Sequence, residues 1–96
     1  MGTVYSSMYG NAGQVDGDSI FNSTFTLVGQ ISGNQILNAS YGVVGHVDGD
    51  TVYNAYSGIV GQISGNTIID ANYNTVGSFD GDWHTGIGAA GLLLLL

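Results

Sequence analysis

The chain contains no lysine, arginine, glutamate, cysteine or proline. Each gap excludes something. Without a cation to neutralise phosphates, nucleic-acid binding has no electrostatic footing, and attraction to anionic lipid fails for the same reason. No disulfide can staple a chain of 96 residues, so stability must come from backbone ladders and from neighbouring copies. Proline would remove a ladder donor, and its absence is what uninterrupted strands require. A trypsin-like protease finds nothing to cut, which suits an extracellular or cell-surface location. The first residues, MGTVYSSMYG, show neither the basic start nor the apolar run of a secretory signal. No stretch approaches the roughly 20 apolar residues of a membrane helix, so no membrane insertion is expected.

What is present is a repeat. Residues 28–75 fall into three blocks of sixteen, VGQISGNQILNASYGV, VGHVDGDTVYNAYSGI and VGQISGNTIIDANYNT, so Val28, Val44 and Val60 are one position in successive copies. AGQVDGDSIFNSTFTL, from Ala12, is a further copy; TVYSSMYGN is the back part of another, and VGSFDGDW, from Val76, opens one more. The 96 residues equal six such units, so the end of one molecule is in phase with the start of the next. A short fixed period marks an arrayed architecture, in which each copy buries its apolar residues against its neighbours.

Within a copy, two short apolar runs alternate with two turn signals. The first run ends in Asp-Gly-Asp (16–18, 48–50, 80–82) or Ser-Gly-Asn (32–34, 64–66). Both triplets suit a tight reversal. The second run leads into a loop that finishes at Gly10, Gly42, Gly58 or Asn74, residues that tolerate positive φ. Glycine-bearing turns in every window of ten residues exclude helix until the very end of the chain. Residues 1–91 therefore read as one repeat domain, and 92–96, five consecutive leucines, as an apolar tail, a cap over the last copy, or placeholder residues.

The expected fold is all-β, a parallel β-solenoid of about six 16-residue coils; the alternative is an antiparallel hairpin-repeat meander or ring. The solenoid stacks identical positions. It predicts a stacking core of Val28, Ile31, Ile36, Val44, Val47, Val52, Val60, Ile63, Ile68 and Val76, and a polar ladder of Asn22, Asn38, Asn54 and Asp70. It also gives the alternation of Asp-rich with Ser/Asn copies a purpose: like charges would lie about 9.6 Å apart rather than 4.8 Å. Apolar residues on both strand faces, with Tyr41, Tyr53, Tyr56 and Tyr73, suggest lateral packing of one solenoid on another.

Little in the chain resembles catalytic machinery. The Asp-Gly-Asp triplets could hold calcium, a hard cation that prefers oxygen, yet turn residues that add solubility explain them as well, and no EF-hand glutamate follows. His46 takes the place of Gln30 and Gln62 in the repeat, and His84 has no second ligand at a metal-binding spacing. No Gly-x-Ser-x-Gly elbow occurs. No enzyme and no cofactor are expected. Asn22 and Asn38 open glycosylation sequons at the same repeat position.

Segments such as GQISGNQILNAS resemble the imperfect repeats of curli-type functional amyloid subunits, which implies a secreted, self-assembling matrix fibre. The VG-x-[IV]-x-G-x-x-[IV]-[YF]-N cadence, clearest in VGHVDGDTVYN, is similar to the hairpin repeats of bacterial beta-flower proteins, which implies a small ring or module. The expected function is a structural subunit of an extracellular filament, partnered by copies of itself head to tail through unpaired strand edges. The alternative is a small cell-surface binding module, with calcium as a candidate ligand.

Overall fold

Gly17, Gly33, Gly49 and Gly65 hold φ of 59, 62, 61 and 58°, a region open to glycine but costly for other residues. Each occupies the first position of a two-residue turn, the φ pattern of a type II′ hairpin, so each triplet reverses the chain at once. A computed structural model describes residues 2–8 and 10–96; Met1 and Tyr9, both inside the expected 1–91 repeat domain, lie outside the described residues. The strands are β1 (Gly2–Ser6), β2 (Gly10–Asp16), β3 (Ser19–Asn22), β4 (Leu27–Ser32), β5 (Gln35–Asn38), β6 (Val43–Asp48), β7 (Thr51–Asn54), β8 (Ile59–Ser64), β9 (Thr67–Asp70) and β10 (Thr75–Asp80). A helix, α1 (Trp83–Ala90), and a π-helical turn, Gly91–Leu95, follow.

All ten pairings are antiparallel, and β1 pairs with both β2 and β10, which closes the sheet into a barrel. The parallel solenoid expected from the repeat is therefore wrong, and the antiparallel ring is right. Alternation of inward and outward residues is the same in both folds, so periodicity could not separate them. Turn length does: two residues can only deliver an antiparallel neighbour, whereas a parallel one requires a long return path.

The count of copies is corrected too. Four hairpins are continuous in sequence, and the fifth is assembled from the two ends: β10 supplies its first strand and β1 its second, with Val4 facing Phe79 and Thr3 facing Asp80. The match of phase that suggested a stack of molecules instead lets β10, ending at Asp80, meet β1 and close a ring within one chain, and the residues after it form a helix and a π-helical turn rather than a sixth copy. Among the described residues no strand edge is left free for head-to-tail addition.

The core is a girdle of paired residues, one pair per hairpin: Val15 with Ile20, Ile31 with Ile36, Val47 with Val52, Ile63 with Ile68, and Phe79 with Val4. All ten are buried. Into this bore runs α1, buried from Thr85 to Ala90. Glycine-rich sequence gives no expectation of helix, because propensity opposes it. The bore overrides propensity because at its closest approaches to the wall it leaves room only for glycine, while Ile87 fills a wider part of the core. A Cβ on Gly86 would lie 2.7 Å from Phe79 Cζ, and one on Gly91 would lie 2.7 Å from Ile36 Cγ2. The helix starts where Asp82 accepts hydrogen bonds from the Thr85 N–H (3.0 Å) and hydroxyl (3.1 Å), a standard N-cap.

The five leucines complete the plug. Leu92, Leu93, Leu94, Leu95 and Leu96 lie against Gly13, Gly77, Gly61, Gly45 and Gly29 in that order, one leucine per hairpin, stepping round the ring one hairpin at a time. A step of one fifth of a turn per residue is slower than the about 100° of an α-helix. The change to π geometry, with the Leu96 N–H donating to the Gly91 carbonyl at 2.8 Å, matches the winding of the chain to the symmetry of the wall.

Candidate functional site

The ring has two unlike rims. At the one where second strands end, Asn22, Asn38, Asn54 and Asp70 each organise a loop. Asn38 Oδ1 accepts from the N–H groups of Ser40 and Gly42, both at 2.9 Å. Asn54 does the same for Tyr56 and Gly58, Asn22 for Thr24 and Thr26, and Asp70 for Asn72 and Asn74. The backbone closes each loop as well: the Asn38 N–H donates to the Gly42 carbonyl at 2.8 Å, and the Tyr41 N–H to the Asn38 carbonyl at 3.0 Å. This doubly bonded Asx loop drives its third residue into the left-handed region.

That residue is not glycine. Phe25, Tyr41, Ser57 and Tyr73 hold φ of 62, 67, 66 and 66°. For a bulky side chain this is an outlier, costing on the order of 1–3 kcal/mol and sustained only where the surroundings over-determine it. Phe25, Tyr41 and Tyr73 are all exposed, and beside Ser57 the neighbouring Tyr56 is 93% exposed. Met8, Leu27, Val43 and Ile59 are exposed on the same rim. Inside the circle of loops, Leu92 to Leu95 are half-buried and Leu96 is exposed. Beside the Asn54 loop a cleft of about 500 Å³ opens, lined by Val43, Tyr56, Val60, Leu94 and Leu95. The loop rim is thus an aromatic crown around an apolar floor.

Asp70 is the one acidic residue on this rim. The backbone N–H of Asn74 holds its carboxyl below the ordinary value; the Asn72 N–H and the Asn74 side chain add to this against a contrary push from partial burial.

The opposite, turn rim carries the other six aspartates. Successive hairpins are tied together here, since the carbonyls of Asp18, Asn34, Asp50 and Asn66 accept from Ile31, Val47, Ile63 and Phe79 of the next hairpin at 2.8, 2.8, 2.8 and 2.9 Å. Acidic and neutral turns alternate round the ring, but five is odd. The Asp80–Asp82 turn therefore neighbours the Asp16–Asp18 turn, and His84 sits at that junction. Its Nε2 lies 3.0 Å from Asp18 Oδ1 and 3.0 Å from the Gly17 carbonyl. Asp82, an exposed residue, is held below its ordinary value first by the Thr85 N–H, then by the Thr85 hydroxyl, with the His84 charge adding to the effect against a contrary push from desolvation. Beside Asp48 and Asp50, the half-exposed Trp83 borders a shallow cleft of about 540 Å³ over Ile87. Among the described residues no three His or Asp side chains converge as a metal-binding group.

The residues predicted from sequence divide between wall and rim. Ile31, Ile36, Val47, Val52, Ile63 and Ile68 are buried in the girdle, while Val28, Val44, Val60 and Val76 are partly buried and pack against it. None stacks on its own equivalent; Ile31 faces Ile36 across a hairpin. The polar ladder does not form, because Asn22, Asn38, Asn54 and Asp70 face Gly13, Gly29, Gly45 and Gly61 and bond to their own loops. His46 lies on the outer wall, stacked on Tyr53 at 4.9 Å between ring centroids and 14° between planes. Tyr53 thus belongs to the wall, whereas Tyr41, Tyr56 and Tyr73 belong to the crown. The left-handed tip is what sequence reasoning missed, and its signal is an aromatic three residues after the loop Asn or Asp, as in Phe25, Tyr41 and Tyr73.

Comparison with curated proteins and with solved structures finds no match. Curli-type subunits, which the Asn/Gln/Gly pattern resembles, gain no support from the antiparallel ring. A family model described as 5-fold beta-flower protein matches residues 1–87, from the closing strand β1 into α1 and short of the leucine run. Five hairpins, one of them built from both ends of the chain, are the five-fold feature that description names, and the chain belongs to the 5-fold beta-flower protein family.

Proposed function

We propose that the protein is a non-enzymatic docking module that meets its partner with the loop rim. The observation that carries this reading is the repeated placement of an exposed aromatic at a left-handed loop tip. Stability alone would favour glycine at such a position, so the aromatics answer to something outside the fold. Each loop is also ready for contact with an apolar surface, because its inner N–H groups are already bonded to Asn or Asp Oδ1 and need not be stripped of water on docking. The filament reading relied on free strand edges, and the closed ring offers none among the described residues, which favours the binding module of the two.

The test is retention on a phenyl matrix together with binding of an apolar fluorescent dye, in native buffer. Wild type should be retained and should light the dye. The triple variant Tyr41→Ser/Tyr56→Ser/Tyr73→Ser should lose most of both at an unchanged melting temperature, while Asp16→Asn/Asp48→Asn, on the far rim, should lose neither. Equal retention of the loop-rim variant and wild type would falsify the reading.

A further inference from the structure

We infer that the loop rim docks on the loop rim of a second copy of this chain, forming a closed two-fold dimer of rings. This rests on the docking reading above and names its partner. The first argument is charge. The chain carries −7 with no Lys or Arg, and six of its seven aspartates crowd the turn rim. Two copies approaching turn rim to turn rim oppose their aspartates. Head-to-tail contact would press a carboxylate rim against leucine and tyrosine and desolvate it. Loop rim to loop rim is the arrangement that removes apolar surface from water and leaves both acidic rims in solvent. The rings measure 20 Å in their short dimension, so the two acidic rims then stand about two ring thicknesses apart, well beyond the roughly 8–10 Å screening length of physiological salt.

Area and shape supply the rest. A footprint of 28 by 27 Å sets an upper limit of roughly 600 Å² per face, so two faces in contact bury at most about 1,200 Å², the lower edge of specific, reversible association. The face is rich in tyrosine, which interfaces favour. It is also indented: beside the Asn54 loop lies the 500 Å³ cleft floored by Leu94 and Leu95, a recess that a loop tip of a second copy can enter. A two-fold axis perpendicular to the ring axis sets a loop of each copy into the recess of the other. Such an interface is closed, so growth stops at two and no filament follows.

Sedimentation velocity of the full chain, from low-micromolar to near-millimolar protein, tests the proposal. Wild type should pass from one to two chains per particle and go no further. Tyr41→Ser/Tyr56→Ser/Tyr73→Ser should raise the midpoint concentration at least about tenfold, whereas Asp48→Asn/Asp50→Asn on the turn rim should leave it in place. A monomer at every concentration overturns the dimer, as does a dimer indifferent to the three tyrosines or an assembly that grows beyond two. Flotation with neutral phosphatidylcholine vesicles separates the failures. A monomer that floats with vesicles through the same tyrosines makes lipid the occupant, so the dimer falls and the docking face stands. A monomer that neither floats nor loses phenyl-matrix retention on loss of those tyrosines removes both.

Discussion

The two rims of this ring are built from the same sixteen residues by opposite means. At the turn rim the backbone does the folding: a glycine with φ near 60° reverses the chain in two residues, and side chains are left over for charge. At the loop rim a side chain does the folding. One Asn or Asp oxygen gathers two N–H groups and pushes a residue other than glycine, aromatic in three of the four such loops, into the left-handed region. The first method yields a solvated acidic edge, and the second yields rigid loops whose tips are free to be large and apolar. Glycine itself serves two purposes along this axis. Gly49 is there for its φ, since a Cβ at that position would meet nothing within 4 Å, whereas Gly45 is there for space.

That contrast gives the largest expected effect. A Cβ at Gly45 would run into the Tyr53 carbonyl oxygen and lie 2.7 Å from Leu95 Cδ1, so neither sheet nor plug can give way easily. Gly45→Ala should cost about 3 kcal/mol or more, the upper range for forced overpacking. Gly49→Ala, four residues on, meets only backbone strain and should cost about 1–2 kcal/mol. Urea unfolding of the two variants measures both, and equal losses would break the distinction between the two glycine classes.

A step down in size is the loop hub. Asn38→Ala removes an acceptor of two backbone N–H groups and should cost about 1–2 kcal/mol. Asn38→Asp should be tolerated, since Asp70 performs the same task in its own loop. If Asn38→Ala unfolds at the wild-type urea midpoint, the loops are held by their backbone bonds alone and the two rims are less different than they look.

How much of this could be read from the residues follows the same division. The turn rim was legible: Asp-Gly-Asp and Ser-Gly-Asn announce tight reversals, and alternation of Val and Ile announces a wall. The choice between parallel and antiparallel was present in those same turns, since a two-residue reversal delivers only an antiparallel neighbour, but the inward placement of Ile31 and Ile36 is the same in either fold and did not force it. The Asp-rich alternation even argued for the wrong fold, through a charge spacing that a ring meets differently. In the ring the alternation fails at one junction because five is odd, and His84 stands there. Asn22, Asn38, Asn54 and Asp70 were visible as a recurring polar position, but a period cannot tell a ladder from four separate loops. Least legible was the plug. The alanines and leucines of GIGAAGLLLLL favour helix and its three glycines oppose it, and its meaning depends on the width of a bore and a five-fold wall that exist only after the ring has closed.

The smallest effect probes acid rather than packing, and it places one carboxylate on each rim in the same test. Asp70 in a loop and Asp82 at the helix start both have carboxyls held below the ordinary value of 3.8, the first chiefly by the Asn74 N–H and the second chiefly by the Thr85 N–H. A carboxyl whose folded value is depressed binds protons more readily when unfolded. Its contribution is therefore complete above 3.8 and is lost as the pH falls through the depressed value. Asp70→Asn keeps the acceptor and removes the titration. Its melting temperature at neutral pH should match wild type, and its decline below pH 3.8 should be shallower. Asp82→Asn, which leaves a good N-cap in place, should behave alike, and the double variant should be shallower than either. Thermal melts at closely spaced pH values from neutral down into that window measure the slopes. A decline as steep as wild type in Asp70→Asn would mean that the loop carboxylate is no better bonded folded than unfolded, and that the loop rim owes its shape to the amide positions alone.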